Sequence, residues 1–94
     1  MSELEIRPSK QFERELTKAG KKLRFKDQKI LFDVISLLAA QKQLPEKYKD
    51  HSLKGKWQGY RECHIKPDLL LIYQVQDSKL LLIRLGSHDD LFKK

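Results

Sequence analysis

The chain has 94 residues, which is enough for one small domain spanning residues 1–94 and too few for a second hydrophobic core. Lys and Arg number 20 against 13 Asp and Glu, and the net charge of +7 favours a polyanionic partner: nucleic acid, an acidic protein or a membrane surface. The single Cys excludes a disulfide framework, and no segment is apolar enough for a secretory signal or a membrane span, so we expect a cytoplasmic protein.

The first half of the chain predicts a short strand followed by a helix. In residues 3–7, Leu4 and Ile6 alternate with charged residues, which is typical of a half-buried strand. Ser9 is a suitable N-cap for the helix, and Gly20 is a natural C-terminal stop. Between them a narrow apolar stripe recurs at helical spacing and consists of Phe12, Leu16 and Ala19.

A basic segment leads from this helix to a second one. From Lys18 to Lys29 the chain carries six basic residues and one acid, Asp27, which suits either a phosphate-facing patch or a solvated corner between helices. On net charge alone, a merely soluble basic protein is the alternative to a polyanion-binding one. The second helix is predicted to start at about Asp27, and Pro45 prevents its continuation. Its broad apolar face is formed by Ile30, Leu31, Val34, Ile35, Leu37 and Leu38.

The second half of the chain predicts three strands joined by turns. Residues 57–65 alternate so that Glu62 and His64 share one face, whereas residues 69–75 are nearly all apolar, as in a central strand covered on both faces. Residues 80–85 form the third strand, and a last helical turn is expected after it. The order β-α-α-β-β-β(-α) predicts an α+β fold with two N-terminal helices packed on a mainly antiparallel sheet.

Every histidine of the chain lies within residues 50–92, so acid–base chemistry is expected there. Adjacent antiparallel strands can bring His64, Asp68 and His88 to one sheet edge. Two histidines of opposite protonation state suit RNA cleavage, because one removes the 2′-hydroxyl proton and the other protonates the leaving 5′-oxygen. Structural alternatives exist: His51 as a surface residue on its loop, and His64 as a satisfied strand residue. His88 could cap the last helical turn, and Asp68 could stabilise the preceding turn.

Two arginines lie on predicted strands, where an unpaired charge should not be buried. Arg61 and Arg84 would face a phosphate in a groove, or each would pair with a carboxylate such as Glu62 or Glu5. The sequence leaves both interpretations open.

Aromatic side chains and potential metal ligands also lie in residues 50–92. Trp57, Tyr60 and Phe92 can stack on bases, although packing in or beside the core is the alternative and is favoured for Trp57 and Tyr60. No H-x-E, H-E-x-x-H or C-x-x-C spacing is present, and Cys63 is alone, so no metal site is predicted.

The sequence resembles a toxin family along nearly its whole length. The strings HSLKGKWQGYRECHIKPDLLLIY and LLLIRLGSHDDLF look like the YafQ branch of the RelE/ParE toxin superfamily. The resemblance implies a RelE-like microbial ribonuclease fold and the toxin component of a type II toxin–antitoxin pair. Such toxins are metal-independent endoribonucleases that cut mRNA, typically in the ribosomal A site, and so stop translation.

The resemblance also implies a catalytic group with a role for each member. His88, in the GSH motif, would be the general acid or base, and His64 and Asp68 would orient the substrate or share proton transfer. His51 would assist from its loop, and Phe92 would stack on a base or hold the substrate in line. The cations that would bind the substrate or neutralise the pentacoordinate phosphate are Arg61, Arg84, Lys54 and Lys56.

The implied partners are a cognate antitoxin, mRNA and the ribosome with its rRNA, with no cofactor, metal or membrane. The basic surface can engage RNA phosphates or an acidic antitoxin segment that folds on binding. Leu69 stands where some relatives have Trp directly after Pro-Asp, which implies a different codon preference. The alternative function is a ParE-like toxin or binding module acting on another target such as DNA gyrase. The histidines with Asp68 favour the nuclease, because a pure binder needs no proton-transfer set.

Overall fold

The computed structural model describes residues 3–92, which form three helices and one five-stranded sheet in the order β1-β5-β4-β3-β2. The strands are β1 Glu5–Pro8, β2 His51–Ser52, β3 Arg61–Lys66, β4 Leu69–Gln76 and β5 Lys79–Gly86. The helices are α1 Lys10–Gly20, α2 Phe25–Ala39 and α3 His88–Phe92. β1 runs parallel to β5 and the other neighbours are antiparallel, so the predicted α+β fold is confirmed. Among residues 3–92, no helix is long and apolar enough to cross a membrane.

The start of α1 is fixed by Ser9, as its position in the sequence predicted. The Ser9 hydroxyl accepts a hydrogen bond from the backbone N–H of Phe12 at 2.9 Å and donates one to the carbonyl of Ile83 on β5 at 2.8 Å. The first bond satisfies one of the free N–H groups of the helix. Because the second bond reaches the sheet, one oxygen both caps α1 and fixes it against β5.

The main core lies between α1, α2 and one face of the sheet. It includes Leu31, Val34 and Leu38 from α2, Phe12 from α1, and Cys63, Leu71 and Tyr73 from the sheet. α2 begins at Phe25, slightly before the predicted start at Asp27. Asp27 is only 5% exposed, and its carboxylate lies 3.2 Å from Nζ of Lys66 on β3, so this ion pair links the first turn of α2 to the sheet.

The opposite face of the sheet carries a smaller core. Leu70 and Ile72 on β4 are fully buried there against Leu91 of α3. The partly buried residues packed around them are Leu53, Trp57, Tyr60 and Ile83. β4 is therefore covered on both faces through Tyr73, as its apolar sequence predicted, whereas Val75 near its end is 49% exposed.

The loop between β2 and β3 corrects one strand prediction. The strand expected from Trp57 starts only at Arg61. Residues Gly55–Trp57 form a 3₁₀ turn, and Gly59 has φ of +95°, a value that an extended strand does not contain. The loop instead folds over the smaller core, where Trp57 packs edge-to-face on Tyr60 with ring centroids 5.4 Å apart.

Two smaller differences from the sequence predictions concern the sheet edges. β2 was predicted as loop, because two residues are too few to show an alternating pattern. Among residues 3–8, Leu4 is the one buried residue, and Ile6 is 44% exposed. β1 lies at the edge of the sheet, where it pairs with β5. The face of β1 that carries Ile6 is largely uncovered.

Candidate active site

The three histidines form a row on the sheet face that carries the smaller core. His51 on β2 lies opposite Glu62 on β3, and His64 on β3 lies opposite Leu70 on β4. His88 opens α3, just past the end of β5. The ring centroids are 6.2 Å apart between His51 and His64 and 5.7 Å apart between His64 and His88. The structure therefore brings together side chains from three separate elements.

A buried carboxylate lies beneath two of these rings. Oε1 of Glu62 is 3.4 Å from Nε2 of His51 and 3.3 Å from Nε2 of His64, and Glu62 is only 4% exposed. A buried carboxylate requires hydrogen-bond donors or a positive charge nearby. Nδ1 of His51 lies 2.7 Å from the carbonyl oxygen of Lys49, so both nitrogens of this ring face acceptors and both donate when the ring is protonated. His64 keeps its Nδ1 away from Glu62.

Asp68 holds the third histidine from the β3–β4 turn. One oxygen, Oδ1, accepts a hydrogen bond from the backbone N–H of His88 at 3.0 Å and lies 2.9 Å from Nδ1 of the same residue. These two bonds lower the pKa of the Asp68 carboxyl below its ordinary value of 3.8. Asp68 is therefore ionised at neutral pH, Nδ1–H of His88 points at it, and Nε2 of His88 is left for a substrate.

Phe92 closes the row on the side of α3. Its ring centroid lies 6.4 Å from that of His88 and 6.4 Å from that of Trp57, and the residue is 37% exposed. Trp57 and Tyr60 pack on the smaller core, which is the alternative that the sequence favoured for them. Phe92 presents a partly exposed ring beside the catalytic candidates.

Both strand arginines are paired with carboxylates. Nε of Arg61 lies 3.2 Å from Asp50 and 3.3 Å from the Tyr73 hydroxyl. Arg84 bonds Glu15 through Nε at 3.0–3.1 Å and through Nη2 at 2.7 Å. Pairing was one of the two sequence interpretations, but the suggested partners Glu62 and Glu5 are wrong.

The partners differ for a physical reason. Glu62 points to the opposite face of β3 and meets the histidines, while Glu5 bonds Arg7 on its own strand. Burial raises the pKa of the Glu15 carboxyl, and the hydrogen bonds from Arg84 and from the backbone N–H of Leu85 outweigh it and lower the pKa overall. Glu15 is therefore held as a carboxylate.

A cleft of about 510 Å³ opens beside His64 and His88. Its walls carry three lysines, Lys47, Lys49 and Lys66, together with Tyr48. Sequence reasoning missed these lysines, because only the fold shows that the 45–49 segment lies next to the β3–β4 turn. Lys54 and Lys56, which the sequence assigned to substrate binding, are exposed on the loop over the smaller core and do not line this cleft.

Cys63 takes no part in this chemistry. Cys63 follows Glu62 and precedes His64 in the sequence, but its side chain is fully buried in the main core on the other face of β3. Burial raises the pKa of its thiol to about 12, with a further contribution from Asp50 and Glu62. Because the thiolate is the nucleophile and the metal ligand, Cys63 is inert in both respects.

Glu62, His64 and His88 also form a grouping that can hold a metal ion. Each contributes one ligand atom, and within residues 3–92 these atoms lie inside 4.8 Å of one another. Two imidazoles and one carboxylate suit zinc or copper. Sequence spacing did not reveal this grouping because its members come from β3 and α3. The predicted shared face of Glu62 and His64 was the one available signal.

The chain was compared with known proteins. The sequence model of the family described as the bacterial YafQ toxin of type II toxin–antitoxin systems matches residues 4–93 of this chain. The mRNA interferase toxin YafQ of Escherichia coli K12 is 40% identical over 93 residues, covering 98% of this chain and 99% of that protein.

Two solved structures give the same result. A metal-bound toxin from Helicobacter pylori has 47% identity and a TM-score of 0.87, with 95% of this chain and 99% of that chain covered. YafQ in the E. coli DinJ–YafQ complex has 38% identity and a TM-score of 0.83, with 95% and 98% covered. The fold, the family match and the full-length identity agree, and the chain belongs to the YafQ family of bacterial toxins of type II toxin–antitoxin systems.

Proposed function

We propose that this toxin is a metal-independent endoribonuclease that cuts mRNA at the translating ribosome and is inhibited by a cognate antitoxin protein. The observation that carries the proposal is the pair of histidines at one cleft, His64 and His88, each held at one nitrogen by a carboxylate. The E. coli relative named as an mRNA interferase supports the substrate, and the DinJ–YafQ complex supports the antitoxin.

The pair fits cleavage of RNA by its own 2′-hydroxyl. The 2′-oxygen attacks phosphorus and loses its proton to one histidine, the bond from phosphorus to the 5′-oxygen breaks, and the other histidine protonates that oxygen. The products are a 2′,3′-cyclic phosphate and a 5′-hydroxyl, and no water or metal is consumed. His64 and His88 are the two proton carriers, with ring centroids 5.7 Å apart, far enough to stand on either side of a phosphate.

The carboxylates act as positioning residues. Asp68 fixes the ring orientation and tautomer of His88, so that Nε2 is the nitrogen that exchanges a proton with RNA. Glu62 fixes the ring of His64 in the same way, but through Nε2, so Nδ1 of His64 is the nitrogen that exchanges a proton with RNA. His51 shares that carboxylate and, when protonated, offsets its buried charge.

Charge on the phosphorane is stabilised by Lys47 and Lys49, which line the cleft from the segment before β2. Lys66 also lines the cleft, but its Nζ lies 3.2 Å from the Asp27 carboxylate, so it is paired as the strand arginines are. Cations fixed before the reaction stabilise developing negative charge without reorganisation. Arg61 and Arg84 are less suited to this role than the sequence suggested, because each already bonds a carboxylate. Phe92 offers its exposed edge to a base next to the cut.

A bound metal ion would oppose this mechanism. The H. pylori relative was solved with metal, and Glu62, His64 and His88 would hold an ion here. As a Lewis acid it could polarise a phosphate oxygen, but it would also take nitrogen lone pairs that the proton transfers need. We expect cleavage to persist in a chelator and to fall when zinc or copper is added.

The test is to map transcript ends after inducing the wild-type toxin or the His88→Ala variant in cells without antitoxin. New cuts in phase with codons, present with the wild type and absent with the variant, would support both the activity and the residue. The variant must show a wild-type thermal unfolding curve to count. A fully toxic His88→Ala protein would contradict the proposed role. Growth arrest with DNA damage and no new RNA ends would move the target to one such as gyrase.

A further inference from the structure

A second depression lies next to the active-site cleft. This groove has a volume of about 570 Å³ and runs between α1 and the end of β5, where the chain turns into α3. Lys66 lines both the cleft and the groove, and Asp68, which holds His88, lines the groove as well. The two depressions therefore meet at the β3–β4 turn, and a strand lying across the cleft can pass directly into the groove.

The α1 wall of the groove is cationic. Arg14, Lys18 and Lys22 follow one another at four-residue spacing along α1 and the turn after it, so they line the same side of the groove. The acid between them, Glu15, has both oxygens engaged by Arg84, and one of them also accepts from the backbone N–H of Leu85 at 2.9 Å. Within residues 3–92, none of the three cations has a carboxylate oxygen within ion-pair distance.

The acids of the groove offset only part of this charge. Three carboxylates line it, Glu15, Asp68 and Asp90, against five cations, Arg14, Lys18, Lys22, Lys66 and Arg84. Asp27, the single acid of the basic segment after α1, is buried and paired with Lys66. That segment also carries exposed cations close in sequence to Lys22 of the groove wall: Lys21, Arg24 and Lys26.

We infer that this groove binds the sugar–phosphate backbone of the RNA that flanks the cut, with Arg14, Lys18 and Lys22 as phosphate contacts. This inference rests on the proposed ribonuclease activity. RNA that leaves the cleft past Lys66 meets the cationic wall of the groove, because Lys66 lines both depressions. The spacing of Arg14 and Lys18 along the helix, ~6 Å at a rise of 1.5 Å per residue, suits contacts to neighbouring phosphates. Such contacts add affinity without sequence preference.

The test compares two variants of equal net charge. The groove variant carries Arg14→Gln, Lys18→Gln and Lys22→Gln, and the control carries Lys10→Gln, Lys42→Gln and Lys79→Gln, none of which lines the cleft or the groove. The probes are 2′-O-methyl RNA strands, which lack the attacking hydroxyl and stay uncut. A strand of about four nucleotides fills the cleft alone, and one of about twelve reaches the groove. Binding is measured by fluorescence anisotropy over a range of salt concentrations.

For the long strand, we expect the groove variant to bind at least tenfold more weakly than the control. Its slope of log affinity against log salt should be smaller by about 2, from three lost phosphate contacts at ~0.7 each on a single strand. The short strand should bind both variants alike. Circular dichroism on both variants verifies that they are folded.

Two outcomes would overturn the inference. Equal losses in the groove and control variants would mean that only net charge matters. Equal weakening of the short and long strands in the groove variant would place the three cations at the cleft instead of the flank. The ribonuclease activity is tested separately, because transcript-end mapping measures cleavage by the wild-type toxin and does not involve the groove variant. Codon-phased cuts together with unchanged RNA binding by the groove variant would reject the groove and leave the nuclease standing.

Discussion

The two sides of the sheet use charged pairs in opposite ways. On the side of α1 and α2, Arg61 is bonded to Asp50 and Tyr73, and Arg84 to Glu15. These pairs are closed, because the cation and the carboxylate are directed at each other and at protein neighbours. On the opposite side, Glu62 engages one nitrogen of His64 and Asp68 engages one nitrogen of His88, and within residues 3–92 the other nitrogen of each ring has no hydrogen-bond partner.

This difference separates the residues that stabilise the fold from the residues that are available for proton transfer. A closed pair makes its contribution once the chain has folded, and its carboxylate is already engaged by a cation. A half-engaged histidine has a fixed ring and an available nitrogen, which is what proton transfer requires. The main core lies on the closed side and the smaller core supports the open side, so changes on the two sides should be separable.

The largest expected effect is on the open side, at the proton carriers. His64→Gln and His88→Gln should each slow single-turnover cleavage by about 10²–10⁴-fold, the usual contribution of a general acid or base, with little change in stability. A substrate with sulfur in place of the leaving 5′-oxygen needs no general acid. It should restore the rate of the variant that lacks the acid and leave the other slow. Restoration of both variants, or of neither, would contradict a divided acid–base pair.

On the closed side, Leu71→Ala should destabilise the fold without altering the chemistry. Leu71 is fully buried in the main core, and removing such a side chain costs about 2–5 kcal/mol, measurable by urea denaturation. Cleavage by the folded fraction should stay at the wild-type rate. Leu70→Ala, at its neighbour facing the smaller core opposite His64, should lose both stability and rate. Equal rates in the two variants would remove the functional distinction between the faces.

A smaller effect is expected at the shared carboxylate. Glu62→Gln keeps the shape but removes the negative charge that lies 3.4 Å from Nε2 of His51 and 3.3 Å from Nε2 of His64. We expect the rate to fall by about ten- to a hundredfold, with a changed pH–rate profile. Asp33→Asn, which removes an exposed pairing with Lys29 on α2, is the matched control and should leave the rate unchanged. A Glu62→Gln variant with the wild-type pH–rate profile would show that this carboxylate does not tune the histidines.

The smallest effect is the pH dependence of stability at Asp68. Its folded-state pKa is lowered by the backbone N–H and ring of His88, so the carboxylate favours the folded state above the ordinary value of 3.8. That contribution is lost as the pH falls through the lowered pKa. Wild type and Asp68→Asn should therefore differ slightly in Tm near neutral pH and converge at strongly acidic pH. A Tm difference that persists unchanged into strongly acidic solution would rule out an ionic origin.

The sequence predicted the regular elements well because each has a strong local signal. The alternation of β3, the apolar run of β4 and the Ser9 cap all follow from neighbouring residues. Residues 57–60 were mistaken for the start of a strand because their alternation was accidental, and only Gly55 and Gly59 signalled a bend. Sequence periodicity reflects only the polarity of side chains. The positive φ angles of Gly55 and Gly59 turn the backbone away from the path of a strand.

The candidate site was predicted in part for a similar reason. The approach of His64 to His88 follows from antiparallel pairing, which the sequence order implies. The partner of Arg84 lies 69 positions away on α1, and no local pattern connects the two. Glu62 was visible on the same face as His64, but its contact with His51 depends on the register of the two-residue strand β2. Pairings across the fold therefore had to come from the structure.

The Ser9 hydroxyl has a consequence for where the RNA is cut. The Ser9 hydroxyl donates to the carbonyl of Ile83, and the Ser9 backbone N–H donates to the carbonyl of Leu82 at 2.9 Å, so the start of α1 cannot slide along β5 without losing hydrogen bonds to it. The cationic wall of the groove is thus kept at a constant distance from His88. If RNA occupies the cleft and the groove together, the phosphates held along α1 would help to fix which phosphate reaches the histidines.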